Sequence, residues 1–406
     1  NDCSQIFYIS VIEAVKSLSP MVVGRNLDEI FNNFAGFWRE LTSDTQLRWI
    51  GPEKGVIHLA TAAIVNALWD LWAKKECKPL WKLLVDMDPK KLVSTIDFRY
   101  MSDLLTKEEA IEILGRNEPL KMLNEHKVLQ SGIRAYTTGF GWIGFDDNKI
   151  RKLCKENLSA GFTSFKLKVG SDLEQDKRRL GLVREEIGPE NKLMVDANQC
   201  WEVPEAIDWM KELAEYKPLW IEEPTSPDDI LGHATIAKEL NPLGIGVATG
   251  EHCHNRVMFK QFLKSGGMQF CQIDCCRLGG VNEVLAVYLM AAKLGIPVCP
   301  HSGGVGLCEL VQHVATWNAI AVNPGDTVSV VEYIDHLHEH FKHPILVIGG
   351  RYMIPQSPGY SSEMKESSLL AYEYPSGTKW KELFHSGKYR KFSVPQWVEN
   401  KCFPQN

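Results

Sequence analysis

The sequence predicts an α/β fold, a closed barrel of parallel strands carrying a second, smaller domain. Three observations predict it. From about residue 132 short apolar runs alternate with helical patterns, the runs number eight, and six successive ones end in a polar residue at near-constant spacing. The length of 406 residues suits this, because one α/β barrel uses about 250 residues and leaves room for a further domain.

Residues 1–130 read as helices and form the first part of that second domain. Leu27, Ile30, Phe31, Phe34, Phe37, Trp38 and Leu41 recur at helical spacing and build one apolar stripe. After the loop Gly51-Pro52-Glu53-Lys54-Gly55, His58 to Lys75 is a second helix rich in Ala and Leu, and Asp103 to Leu114 a third. His58 and His126 have no ligand-like neighbours and are read as ordinary residues.

Residues 131–345 are the barrel. Its apolar runs are Ile133 to Thr137, Phe165 to Val169, Leu193 to Val195, Leu219 to Ile221, Gly246 to Ala248, Gln269 to Ile273, Ile296 to Cys299 and Val328 to Tyr333. Helical patterns such as Glu205 to Lys217, Asn255 to Lys264 and Asn282 to Leu294 lie between them. An open doubly wound sheet would carry a phosphate loop after its first strand, and no G-x-G-x-x-G occurs. Residues 346–406, with Pro355, Pro358, Gly359 and Pro375, lose the alternation and are expected to return to the N-terminal helices.

Composition excludes some partners. A net charge of −6 without a Lys/Arg block argues against nucleic acid, and the absence of an apolar run approaching a membrane span argues against a membrane partner. The 11 cysteines contain no C-x-x-C pair and several sit in apolar runs, which fits thiols acting as small core hydrophobes in a reducing, intracellular compartment. The first residues, Asn1-Asp2-Cys3-Ser4, show neither a signal peptide nor a presequence.

In Phe165-Lys166-Leu167-Lys168-Val169 the two lysines share one face of a strand. Either this is a solvated edge strand, or the paired cations depress each other and leave one amine as a base. The strand ends decide between these. Lys168, Asp196, Glu222, Glu251, Asp274 and His301 differ in number by 28, 26, 29, 23 and 27, about one βα unit each, so all six surround one barrel mouth. Asp196, Glu222 and Glu251 offer three hard oxygen ligands for a divalent ion such as Mg²⁺; the alternative is that they pair with lysines in the barrel wall. Glu223 alternates to the other face and is the weaker ligand. Asp274 can orient and stabilise a protonated His301. Acid/base groups on both sides of a metal suit proton abstraction next to a carboxylate through an enediolate.

Lys166-Leu167-Lys168, Val195-Asp196-Ala197-Asn198, Trp220-Ile221-Glu222-Glu223-Pro224, Thr249-Gly250-Glu251 and Pro300-His301 together resemble the mandelate racemase branch of the enolase superfamily, whose sites pair a Lys or His base with Mg²⁺. Trp220 to His233, His254-Asn255-Arg256 and His301 to His313 are similar to the L-fuconate dehydratase type and its mitochondrial animal relative. The resemblance runs from about residue 40 to the tail. It implies a (β/α)₇β TIM-type barrel with an α+β capping domain from both chain ends, and Mg²⁺-dependent dehydration of an L-fuconate-like sugar acid to the 2-keto-3-deoxy acid. It also implies a mitochondrial location, and is compatible with a homo-oligomer. Position by position, Lys168 resembles the base, Lys166 its substrate-contacting partner, and His301 with Asp274 the acid that assists loss of the β-hydroxyl. Asn198 and Glu332 resemble substrate contacts.

One departure is expected to matter. Members of the family begin with an antiparallel strand layer whose loop covers the site, whereas this chain reaches the Phe34 helix almost at once. A binding or regulatory barrel impaired by the missing lid is therefore one alternative function, and racemisation or epimerisation of a 2-hydroxy acid, which the same two-base geometry permits, is the other. His336, His338, His340 and His343 do not form H-E-x-x-H, and His252-Cys253-His254 reads as positioning groups beside Glu251.

Overall fold

The computed structural model describes residues 2–51, 53–374 and 376–387. Six strands run in parallel and in chain order: β1 (Ile133–Thr137), β2 (Ser164–Lys168), β3 (Lys192–Asp196), β4 (Pro218–Glu222), β5 (Gly246–Thr249) and β6 (Phe270–Cys271). β7 (Val331–Tyr333) pairs parallel with β1 and closes the ring from the other side. The expected run Ile296 to Cys299 supplies the remaining stave without becoming a regular strand. Cys271 N–H donates to the Pro297 carbonyl (2.9 Å), Cys299 N–H to Cys271 (2.8 Å) and His301 N–H to Ile273 (3.0 Å). Pro297 and Pro300 carry no N–H and so interrupt the ladder.

The barrel interior is filled by Tyr136, Met194, Trp220, Ala248, Phe270, Cys299 and Val330. Tyr136 and Phe270 both pack on the Trp220 ring, with centroids 5.6 and 4.9 Å away, so the interior is a packed floor beneath the strand ends and not a pore. Cys154, Cys200, Cys271, Cys299 and Cys308 are buried, in keeping with thiols acting as small core hydrophobes.

The N-terminal stripe is two helices, Leu27–Asn32 and Phe34–Leu41, not one. Asn33 leaves the helical conformation and its side chain caps the second helix by accepting from Gly36 N–H (3.2 Å). The break turns Phe31 and Phe34 onto Trp72 and Trp69, at 4.2 and 5.2 Å between centroids. Among the described residues the region before 130 contains no strand element. Helix Gly55–Lys75 is long and apolar enough to cross a membrane, with mean hydropathy 1.4, which the sequence reading missed; yet 67% of that window is buried inside the protein. It is a core helix. His58, Trp69 and, from the preceding helix, Trp38 reach the barrel at Glu283 (2.6 Å), Asn282 (2.6 Å) and the Gly279 carbonyl (2.7 Å). His58, read from sequence as unremarkable, is thus a buried rivet between cap and barrel. Its partner lies 225 residues away, beyond any local pattern.

The C-terminal segment binds both parts. β8 (Val347–Ile348) and β9 (Arg351–Tyr352) form a short hairpin that adds antiparallel to the foot of β1. Farther on, Gly359 exchanges backbone bonds with Lys78 and Leu80 (3.0 and 2.8 Å), and Tyr360 N–H donates to Asp70 (2.7 Å) on the core helix. Residues 388–406 of this segment lie outside the described residues.

Candidate active site at the barrel mouth

β2, β3 and β4 lie in register with Lys168 beside Asp196 and Asp196 beside Glu222. That register brings the first three strand-end residues together, and the side chains meet. Lys168 Nζ lies 2.5 Å from Asp196 Oδ2. Lys166, fully buried over the Tyr136 ring, pairs with Glu222 and lies 2.9 Å from Glu332 and 3.4 Å from Asp196. Gln272 Nε2 and Trp220 Nε1 donate to the other oxygen of Glu222 (2.7 and 3.2 Å).

The depression that the lysine spacing suggested is present but is outweighed, and neither amine ends with a lowered pKa. Burial opposes the charge on Lys166, but Glu222 and Glu332 raise its pKa well above that of an ordinary lysine. Burial likewise opposes Lys168, and Asp196 outweighs both burial and the Lys166 charge to raise it. The reason is numerical: carboxylates outnumber amines at this mouth. Burial raises the Glu222 carboxyl well above its usual range, Lys166 opposes that, and Asp196 and Glu332 add to it. Asp196 goes the other way; burial works against its charge, and Lys168 and Lys166 hold its pKa down.

On the opposite side His301 Nδ1 bonds Asp274 (2.8 Å), whose other oxygen accepts from the backbone N–H groups of Cys276 and Arg277 (2.7 and 2.8 Å). Asp274 therefore fixes the tautomer and ring plane. Gly303 N–H lies 3.2 Å from Nε2, a contact for the neutral ring, whereas Glu251 and Glu332 stand 3.7 and 3.8 Å from the same nitrogen. Burial disfavours the imidazolium, but Glu251 and the Asp274 hydrogen bond prevail and raise the pKa to about 10. Glu332 links the two sides: one oxygen faces Lys166 and the other faces His301 while accepting from Ser302 N–H (2.8 Å).

Two residues behave differently from their sequence reading. Glu223 does not alternate away, because β4 ends at Glu222 and Glu223 takes φ of 43°, which breaks the period of two. Its buried carboxylate accepts from Gln199 Nε2 (3.0 Å) and contacts His252 Nδ1 (2.7 Å). Glu223, Glu251 and His252 hold ligand atoms within 4.8 Å of one another. Asn198, also at positive φ (45°), is exposed past the end of β3 and not aligned with Asp196, though its N–H donates to Asp196 (2.9 Å). Non-glycine residues held at positive φ beside a cluster of charges are a mark of functional sites. The Glu222-Glu223 doublet before Pro224 was the sequence signal for Glu223; nothing local signals Gln272.

Two members of the histidine cluster beyond the barrel, His338 and His340, have structural partners, whereas His336 and His343 are exposed. His338 bonds Glu309 and the Ile334 carbonyl (2.8 Å each) and His340 contacts Ser368 (3.0 Å).

Residues 149–368 match the family described as enolase C-terminal domain-like. The chain belongs to the enolase superfamily. Mitochondrial enolase superfamily member 1 of Homo sapiens is 59% identical over 373 residues, 92% of this chain and 84% of the relative. Its crystal structure matches with a TM-score of 0.90, covering 85% of that chain. L-galactonate dehydratase of Hypocrea jecorina is 53% identical over 375 residues, 91% of this chain and 83% of the relative. A racemase from Streptomyces coelicolor A3(2), solved with bound magnesium, is 26% identical with a TM-score of 0.66, covering 87% of this chain and 80% of that one.

The donor chemistry of this superfamily mouth fits a hard divalent ion. Asp196, Glu222 and Glu251 offer only oxygen. The excess of negative charge is visible at Glu251, whose pKa burial raises and His301 lowers, with Glu223 and Asp196 adding to the rise. The trio containing His252 would suit a softer transition ion.

Proposed function

We propose that this chain is a Mg²⁺-dependent hydro-lyase that dehydrates a sugar acid to its 2-keto-3-deoxy acid. The observation that carries the reading is the Glu332 carboxylate, set between Lys166 on one side and the Asp274-oriented His301 on the other. Asp196, Glu222 and Glu251 would hold the ion, which when bound would supply positive charge beside the substrate carboxylate and take up the charge that keeps Lys168 protonated. Lys168 then removes the proton α to the carboxylate. Lys166, the neighbouring cation, binds the substrate carboxylate and disfavours reprotonation of Lys168. His301 gives its Nε2 proton to the departing β-hydroxyl, and Asp274 stabilises the imidazolium that does so. Glu332 and Asn198 bind substrate hydroxyls.

L-Fuconate is the 6-deoxy analogue of L-galactonate, the acid in the name of the fungal relative, so one stereochemical series covers both. We infer acids of this series as substrates and, from the name of the human relative, a mitochondrial location. Incubating the chain with Mg²⁺ and a panel of aldonic acids that includes both, then detecting 2-keto-3-deoxy acids, tests the activity. Absence of product from every acid would overturn it. Groups on both sides of the mouth also suit epimerisation; solvent deuterium entering recovered substrate without loss of water would establish that reading instead.

A further inference from the structure

At the opposite end of the barrel from the mouth, a cavity of about 210 Å³ opens at the strand feet, beside Gly132 to Arg134, Val298 and Val331. Three cations line it: Lys127, Arg134 and Arg351. The two arginines face each other as a register pair between β1 and β9. Among the described residues no carboxylate lies within ion-pair distance of any of the three. The two arginines bond carbonyls, those of Asp326 and Ser329 for Arg134 (2.8 and 3.2 Å) and of Ser131 and Gly132 for Arg351. Burial, with the neighbouring Arg134, lowers the Arg351 pKa, as expected for a guanidinium lacking a counter-charge. The one acid in the lining, Asp326, spends its oxygens on Val328 N–H, Ser329 N–H and the Ser329 hydroxyl.

Two more features point to a ligand. Tyr288 lines the cavity with its hydroxyl buried and without a hydrogen-bond partner. Asn318 and Ala319, also in the lining, begin a π-helical turn, Asn318–Val322, a rare conformation often found at functional sites.

We propose that this cavity is a second binding site, for a small organic anion whose carboxylate or phosphate head sits between Arg134 and Arg351. Guanidiniums are suited to bidentate capture of either head group, and the apolar walls at Val298 and Val331 would take the body. An anion here would brace the run from Ser329 to Val331, one residue before Glu332.

The test is calorimetric titration of the Mg²⁺-loaded protein with inorganic phosphate, phenyl phosphate and benzoate, which separate the phosphate and carboxylate sources. At least one is expected to bind in the millimolar range or tighter, and Arg351→Gln to weaken it by about tenfold or more. Ala319→Phe, which adds bulk to the cavity wall and leaves both arginines in the sequence, is expected to do the same while both variants keep sugar-acid turnover in anion-free buffer. Absence of binding by all three probes, or equal binding in wild type and both variants, would overturn the proposal. Retained affinity in Arg351→Gln together with displacement of the probe by a sugar acid would also do so, by moving the anion to the mouth.

Discussion

Glu283 is the residue on which the attachment of cap to barrel should depend most. Its Oε1 accepts from Arg256 N–H (3.0 Å) and Arg256 Nη1 (3.1 Å), and its Oε2 from Gly279 N–H (2.7 Å) and His58 Nε2 (2.6 Å). Four donors thus converge on one buried carboxylate. Glu283→Gln preserves the volume but puts an NH₂ against two of those donors, and it leaves the buried Arg256 guanidinium with Glu53 (2.9 Å) as its remaining carboxylate. Burial works against the charge on Glu283, but His58 and Arg256 prevail and lower its pKa from the ordinary 4.5 to about 2. That depression corresponds to about 3 kcal/mol of stability at neutral pH. Breaking a buried pair by removing one partner costs about 3–5 kcal/mol, so the two routes agree. The sign follows from the lowered pKa: the contribution is complete above the unfolded value and is lost as pH falls toward 2. Urea unfolding followed by tryptophan fluorescence, which samples Trp38 and Trp69 at this junction, should show the variant about 3 kcal/mol less stable at pH 7. The difference should shrink between about pH 5 and pH 2. A loss below about 1 kcal/mol, or a difference constant across that range, would refute the assignment.

At the mouth, Lys168→Ala should reduce exchange of the substrate α-proton, followed by deuterium NMR, by about 10²-fold or more while Mg²⁺ binding persists. His301→Asn should reduce release of the keto acid by a comparable factor yet leave α-proton exchange running, because the base side is intact; loss of both would show that His301 is not only the acid. Glu222→Ala should weaken Mg²⁺ binding by at least about tenfold in calorimetry, and unchanged affinity would transfer the metal to the Glu223, Glu251 and His252 set.

The barrel and most of its site were legible because their signals are local and periodic. A strand two residues apart on one face, a helix at i, i+3 and i+4, and a polar residue once per βα unit are all written along the chain, so Lys166, Lys168, Asp196, Glu222, Glu251, Asp274 and His301 could be assembled around one mouth from numbering alone. Glu223 was misjudged because alternation stops where a strand stops, and its positive φ is set by what surrounds it. The run Ile296 to Cys299 reads as a strand on its apolar character, while Pro297 within it and Pro300 after it interrupt the ladder.

Charge balance was the part the sequence could not determine. Two neighbouring lysines repel when considered alone, and the tertiary structure surrounds them with Asp196, Glu222 and Glu332 from strands 28, 56 and 166 residues beyond Lys166 or Lys168, which reverses the sign of the pKa shift. The contact of His58 with Glu283 was equally beyond the sequence, since the two meet only when cap and barrel pack together. Residue type and spacing determined which groups meet at the mouth. Only the packed structure decided which of them are charged there, because ionisation depends on burial and on neighbours brought from distant parts of the chain.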